Sequence, residues 1–81
     1  MYEAKTILTI KEYGKIDVEL RKLMDEKGLN RNFIAKATNT RFEVINKWYN
    51  NEVEKMDLDV LARICYALDC SPSDIIKYRK P

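Results

Sequence analysis

Hydrophobic residues recur at helical spacing along most of the chain, and polar residues fill the positions between them. Asp17–Lys27 is predicted to be the first helix, because its apolar residues return every three or four positions and Gly28 follows as a C-cap. A second helix is predicted after Asn30, whose side chain suits an N-cap. The apolar stripes of these two helices are Ile16, Leu20, Leu23 and Met24, and then Phe33, Ile34 and Ala37.

The polar stretch 38–40 interrupts this pattern and predicts a tight turn. Asn39 within it is one of the few non-glycine residues that tolerate a left-handed backbone. A third helix, about 41–50, follows with Val44, Ile45 and Trp48 on one face, and Asn50–Asn51 ends it. Ala35 is small enough to stand where the second and third helices cross. Two short helices joined in this way predict a helix-turn-helix, whose second helix can enter a DNA major groove.

Two further helices are predicted towards the C-terminus. One spans 58–68 with Asp57 as its cap, and its stripe contains Leu58, Leu61, Ile64, Cys65 and Leu68. The fifth helix is predicted to start at Ser71, because Pro72 fits the first helical position and Asp74 completes a capping box. Ile76 and Tyr78 on this last segment either close the core or form part of a dimer contact.

The N-terminal segment allows more than one interpretation. Residues 6–10 are rich in β-branched side chains and predict a short strand, although a helix starting at Ala4 also fits. The segment could pack on its own domain, pair with its copy in a dimer, or reach DNA through its lysines. The expected organisation is an arm over 1–15, an all-α, compact five-helix domain over 16–78, and a tail over 79–81.

Composition then excludes several functional classes. The chain has 81 residues, a net charge of +2 and no histidine. The length predicts one small domain. Histidine, the commonest general base and metal ligand, is absent, and Cys65 and Cys70 lack the further ligands that a zinc site needs. No apolar run suggests a membrane span or a secretory signal. We expect no enzyme activity, no cofactor or small-molecule ligand, and a cytoplasmic location with reduced thiols.

The order and spacing of several short motifs add a resemblance. Ile34-Ala35, Thr38-Asn39, Ile45, Trp48 and Asn50-Asn51 are followed downstream by 58–61, 64–68 and 71–74. Together they resemble the helix-turn-helix domains of the Cro and phage-repressor type, the XRE-like regulators, over about residues 16–78. That family often has glycine where Asn39 and Asn51 stand, and small polar or basic residues where Phe42 and Glu43 stand.

The resemblance implies that the first turns of the third helix meet base edges. The candidate base-reading residues are then Arg41, Phe42, Glu43, Asn46 and Lys47. Asn46 suits a bidentate pair with adenine, Phe42 a thymine methyl group, and Glu43 the amino group of cytosine. Glu43 equally suits a helix stabiliser paired with Lys47. The resemblance also implies phosphate contacts from the second helix, through Arg31 and Lys36.

Two functions remain open at this point. The first is a sequence-specific regulator that binds duplex DNA as a homodimer and acts as a repressor by covering a promoter. The second is a protein-interaction module on the same fold, such as an antitoxin-like partner of another protein, which the low net charge, Glu43 and Phe42 favour.

Overall fold

The computed structural model describes residues 3–8 and 12–81, and within them the chain forms four α-helices and one small sheet. A 3₁₀ turn over Pro72–Asp74 separates the last helix from the last strand. The elements in chain order are β1 (Lys15–Val18), α1 (Leu20–Lys27), α2 (Arg31–Ala37), α3 (Phe42–Tyr49), α4 (Leu58–Leu68) and β2 (Ile76–Arg79).

The helix ends follow the local signals of the sequence. The side chain of Asn30 accepts a hydrogen bond of 2.8 Å from the backbone N–H of Phe33, and Asp57 caps α4 in the same way. Gly28 ends α1 in the left-handed region at φ 66°. Asn39 adopts φ 49° in the turn between α2 and α3. These capping predictions are confirmed, because each depends only on residues within one turn of the helix end.

The core lies between the four helices and one face of the sheet. Trp48 is only 2 % exposed despite its size, so α3 is fixed to the rest of the domain along that face. Burial of this apolar surface is the main favourable term in folding. The fully buried side chains at the centre of the core are Leu20, Met24, Ile34, Ile45, Ile64 and Ile75.

The prediction of five helices in an all-α fold is wrong at the C-terminus. The capping box between Ser71 and Asp74 forms, but it supports only the 3₁₀ turn. The chain then extends as β2 and pairs antiparallel with β1, with Val18 opposite Ile76. The backbone N–H of Glu19 also donates to the Ile75 carbonyl at 2.6 Å. Pairing with a distant strand therefore overrides the local helix signal.

The start of α1 is corrected for the same reason. Residues 15–18 belong to β1, so the helix begins at Leu20, and Ile16 is 54 % exposed on the strand. Residues 3–8 form neither the predicted strand nor the predicted helix, and residues 9–11 lie outside the described range. Phe33 and Leu58 also face solvent, at 53 % and 74 % exposed. In α2 only Ile34 is buried, and in α4 Val60 is buried while Leu58 is not.

Asn51 connects the end of α3 to the sheet. It adopts φ 58°, in the left-handed region that stops the helix. Its side-chain oxygen accepts a hydrogen bond of 2.7 Å from the Val18 N–H, and its amide nitrogen donates to Asp17 Oδ1 at 3.1 Å. Asp17 also forms an ion pair of 3.3 Å with Arg79 on β2. The orientation of α3 is thus coupled to both strands.

Candidate DNA interface

The turn between α2 and α3 fixes the angle at which the two helices cross. Thr38 is buried, and its hydroxyl donates to the Ile34 carbonyl at 2.7 Å. The Thr40 N–H donates to the Ala35 carbonyl at 2.9 Å, which brings the chain back across α2 beside a small side chain. Because Ile45 and Trp48 are buried, the opposite side of α3 faces solvent.

Most of the candidate base-reading residues project from that open side of α3. Arg41, Phe42, Glu43 and Lys47 are exposed, whereas Asn46 is half-buried. Glu43 stands in the first turn, where the helix dipole favours an acidic side chain. In the described part of the chain, Glu43 and Lys47 form no ion pair, so the proposed stabilising contact between them is not made.

The structure brings Arg31 and Asn46 together, although the sequence assigned them to different roles. Arg31 Nη1 donates a hydrogen bond of 2.6 Å to Asn46 Oδ1. The guanidinium group of Arg31 also lies 4.8 Å from the ring centroid of Tyr49 and 5.8 Å from that of Phe42. These are attractive cation–π distances. A residue at the start of α2 therefore covers one flank of α3.

The contacts around Arg31 form one group of side chains, the Arg31 cluster: Arg21, Arg31, Phe42, Asn46 and Tyr49. Sequence analysis did not identify Tyr49 and Arg21 as members of the site. Arg21 on α1 lies 5.3 Å from the Tyr49 ring centroid, and the Tyr49 hydroxyl donates to Asp25 Oδ1 at 3.3 Å. Only the spacing of Phe42, Asn46 and Tyr49, at i, i+4 and i+7, could have indicated that the three share one flank of a helix.

Lys36 lies apart from that cluster, on the other side of the turn. It borders a shallow depression together with Asn39, Thr40 and Arg41. Lys36 and Arg41 are both exposed, so two cations stand at the α2 to α3 junction and the Arg31 cluster stands along the flank of α3. This spread of positive charge suits contacts to several phosphates of a nucleic-acid backbone.

Among residues 3–8 and 12–81, the two groups with a shifted pKa, Cys70 and Asp74, belong to the segment after α4 and lie outside this interface. Burial raises the pKa of the Cys70 thiol to about 11, and the neighbouring Cys65 adds to the effect. Hydrogen bonds from the backbone and side chain of Ser71 lower the pKa of Asp74. Both cysteines are free and half-buried against the core. Both pack there as small apolar side chains. The raised pKa keeps the Cys70 thiol in its neutral form, which is a poor nucleophile and a poor metal ligand.

Residues 3–8 and 12–81 offer no candidate for a metal site or a membrane span. These residues contain no cluster of three or more histidine, cysteine, aspartate or glutamate side chains that could hold a metal ion. None of the helices in this range has the length and apolar character needed to cross a membrane. The cationic surface of α2 and α3 is therefore the best-defined candidate site in the described structure.

Comparison with known proteins supports the fold described above. Among solved structures, a candidate DNA-binding protein from Bacteroides fragilis is similar, with TM-score 0.68 and 19 % identity over 78 % of this chain and 100 % of that one. The transcriptional regulator VanUg is also similar, with TM-score 0.69 and 22 % identity over 94 % of this chain and 100 % of that one. No curated protein sequence matches. A family model described as the Cro/C1-type HTH DNA-binding domain matches residues 19–81, and the chain belongs to that family.

Proposed function

We propose that this protein is a sequence-specific regulator of transcription that places α3 in the major groove of duplex DNA. The observation that carries the proposal is the open face of α3, from which Arg41, Glu43 and Lys47 project while Trp48 fixes the opposite face in the core. A helix held in this way is rigid and fits the width of the groove. The candidate base contacts on that face are Arg41, Phe42, Glu43, Asn46 and Lys47.

Phosphate contacts come from the residues beside that face. Lys36 and Arg41 are exposed at the α2 to α3 junction, and Arg31 lies along the flank of α3. Each phosphate neutralised by such a residue releases counterions, so affinity falls steeply as salt rises. Because the net charge of the chain is only +2, attraction to DNA depends on this local group of cations more than on the total charge.

Regulation by a homodimer is the simplest mode of action. Two copies would read half-sites about 34 Å apart, one helical turn of DNA. A dimer bound over a promoter excludes other proteins from the same DNA, which makes repression the expected outcome. Multi-angle light scattering behind size exclusion tests the assembly, and a monomer on its selected duplex would contradict the paired half-site model.

Selection from a random duplex library, followed by a salt titration on the selected site, tests DNA binding. Lys36→Ala should weaken binding to every sequence alike and reduce the salt dependence by about one released ion. Lys80→Ala removes the same charge from an exposed position beyond β2 and serves as the matched control. Affinity that does not change with salt, or equal losses in both variants, would contradict the proposed phosphate contacts.

A protein-interaction module is the second candidate, because large apolar side chains stand exposed on the helices. Phe33 on α2 is 53 % exposed and Tyr66 on α4 is 91 % exposed. Such side chains are common at protein interfaces. Failure to select any duplex, together with salt-independent association with another protein, would favour this second function over the first.

A further inference from the structure

We infer that Arg63 on α4 is a positioning residue for DNA recognition, because its side chain holds the backbone that leads into α3. The carbonyls of Thr38 and Asn39 stand in the turn directly before α3, and Arg63 donates to both. The inference rests on the proposed function and names a residue that acts on base recognition through the position of α3.

The carbonyls of Thr38 and Asn39 take a partner from outside the turn. Within residues 3–8 and 12–81, neither carbonyl accepts a hydrogen bond from a backbone N–H. Arg63 Nη1 donates to the Asn39 oxygen at 3.0 Å and to the Thr38 oxygen at 3.4 Å. The Thr40 hydroxyl adds a second bond to the Thr38 carbonyl, at 3.0 Å. Arginine side chains commonly bind the carbonyls at the end of a helix in this way.

Arg63 can hold the turn because it is itself anchored on α4. The next residue, Ile64, is fully buried, so this part of α4 is fixed in the core. Arg63 Nη2 also forms an ion pair of 2.9 Å with Asp59 Oδ2, one helical turn earlier. An acid four positions before a base is the favourable order for such a pair on a helix. The guanidinium group therefore connects α4 to the turn between α2 and α3.

The position of that turn decides where the first residues of α3 lie. Ile45 and Trp48 are buried and fix the side of α3 that faces the core. The candidate base-reading residues 41–43 come directly after the turn, so the contact from Arg63 attaches their end of α3 to α4. Without it, residues 41–43 can shift while Trp48 keeps the rest of the helix in place. Hydrogen bonds to bases depend on distance and direction, whereas attraction to phosphates depends mainly on charge.

The experiment measures affinity for the selected duplex and for an unrelated duplex at several salt concentrations. Arg63→Met keeps a long apolar stem and removes the hydrogen-bond donors. The ratio of the two affinities should fall about fivefold, because base contacts weaken, and the salt dependence should not change, because no phosphate contact is lost. Lys80→Met removes the same charge from an exposed position beyond β2, and as the matched control it should keep the ratio of the parent. An unchanged ratio in Arg63→Met would overturn the inference.

Asp59→Ala separates positioning from a direct phosphate contact by Arg63, whose side chain is 44 % exposed. In this variant Arg63 keeps its charge and loses one of its anchors. If Arg63 positions α3, the affinity ratio should fall as in Arg63→Met, by a smaller factor. If Arg63 instead contacts phosphate, loss of the competing carboxylate should strengthen binding to both duplexes alike and leave the ratio unchanged. That outcome, or a smaller salt dependence in Arg63→Met, would contradict the positioning role.

Hydrogen exchange on the free protein separates this inference from the proposed function. The backbone amides of Thr40 and Val44 are hydrogen-bonded in the turn and in the first turn of α3. Arg63→Met should speed exchange at these two amides by about tenfold and leave that of Trp48 unchanged, since only the attached end of α3 is released. Equal exchange in parent and variant would refute the positioning role. If no duplex is selected, the proposed function fails and this measurement alone decides what Arg63 does. Thermal melting followed by circular dichroism confirms folding, and Asp59→Ala replaces Arg63→Met in both measurements if the latter does not melt cooperatively.

Discussion

Replacing Asn51 by glycine tests how α3 is tied to the sheet. Both Asn51 and Asn39 adopt left-handed backbone angles, φ 58° and 49°, so glycine satisfies the backbone at either position. Only Asn51 also uses its side chain, which bonds Val18 N–H at 2.7 Å and Asp17 Oδ1 at 3.1 Å. In the part of the chain that the structure describes, the side chain of Asn39 has no hydrogen-bond partner. Asn39→Gly is therefore the matched control.

The two substitutions should differ by the energy of those side-chain bonds. At Asn39, relief of the left-handed strain and the extra freedom of glycine in the unfolded chain nearly cancel, so the free energy of unfolding should change by less than about 0.5 kcal/mol. Asn51→Gly shares these terms and leaves the Val18 N–H unsatisfied, with Val18 only 5 % exposed. An unsatisfied buried donor costs about 1–3 kcal/mol. Asn51→Gly should lower Tm by roughly 5–15 °C.

Urea denaturation followed by circular dichroism at several temperatures measures both values. We expect a lower urea midpoint for Asn51→Gly with an unchanged slope, because the surface exposed on unfolding stays the same. Equal stability of the two glycine variants would refute the reasoning, since the side-chain bonds of Asn51 would then contribute nothing. Asn51→Ala adds left-handed strain to the same loss and should be less stable than Asn51→Gly.

Three further predictions concern the ends of the fold. Cys70 has its pKa raised from 9.0 to about 11. The neutral thiol therefore stabilises the folded state below pH 9, and that contribution disappears as the pH rises towards 11. Cys70→Ser should flatten this part of a pH–stability curve measured by urea denaturation. Asp74 has its pKa lowered from 3.8, so its contribution to stability is present above that pH and is lost as the pH falls below it. Asp74→Asn should make the loss of stability at acid pH smaller, and an unchanged acid part of the pH–stability curve would contradict the role of the capping box. Gly14→Ala should destabilise the sheet, because φ is +85° and an added Cβ would lie 2.4 Å from the Arg79 carbonyl oxygen; hydrogen exchange at the backbone amides of both strands measures the loss.

The helices were predictable from sequence and the sheet was not. Caps such as Asn30, Gly28 and Asp57 act over one turn, so their residue types are enough to place a helix end. The strands β1 and β2 are four residues each and lie about 60 positions apart, and neither is stable without the other. The local signal after Ser71 indicated a helix and specified only its first turn. The pairing of β2 with β1 makes this segment a strand, and a short stretch of sequence around Ser71 contains no information about that pairing.

The candidate site also has one part that the sequence predicts and one part that only the structure shows. Helical periodicity was enough to place Arg41, Phe42, Glu43 and Lys47 on the open side of α3, because Trp48 and Ile45 had to face inward. The contact between Arg31 and Asn46 spans 15 positions and depends on the crossing angle of two helices. A sequence pattern lists the two residues but does not show that one holds the other, so the orientation of the Asn46 amide required the structure.

The pairing of β1 with β2 has a consequence for how the protein is made. Residues 15–18 are synthesised about 60 residues before their partner strand and before the buried Ile75. The helices can therefore assemble on the ribosome only as an open intermediate with one side of the core uncovered. The domain becomes fully folded after synthesis has passed residue 79, and a chain that stalls before that point exposes apolar surface to chaperones and proteases.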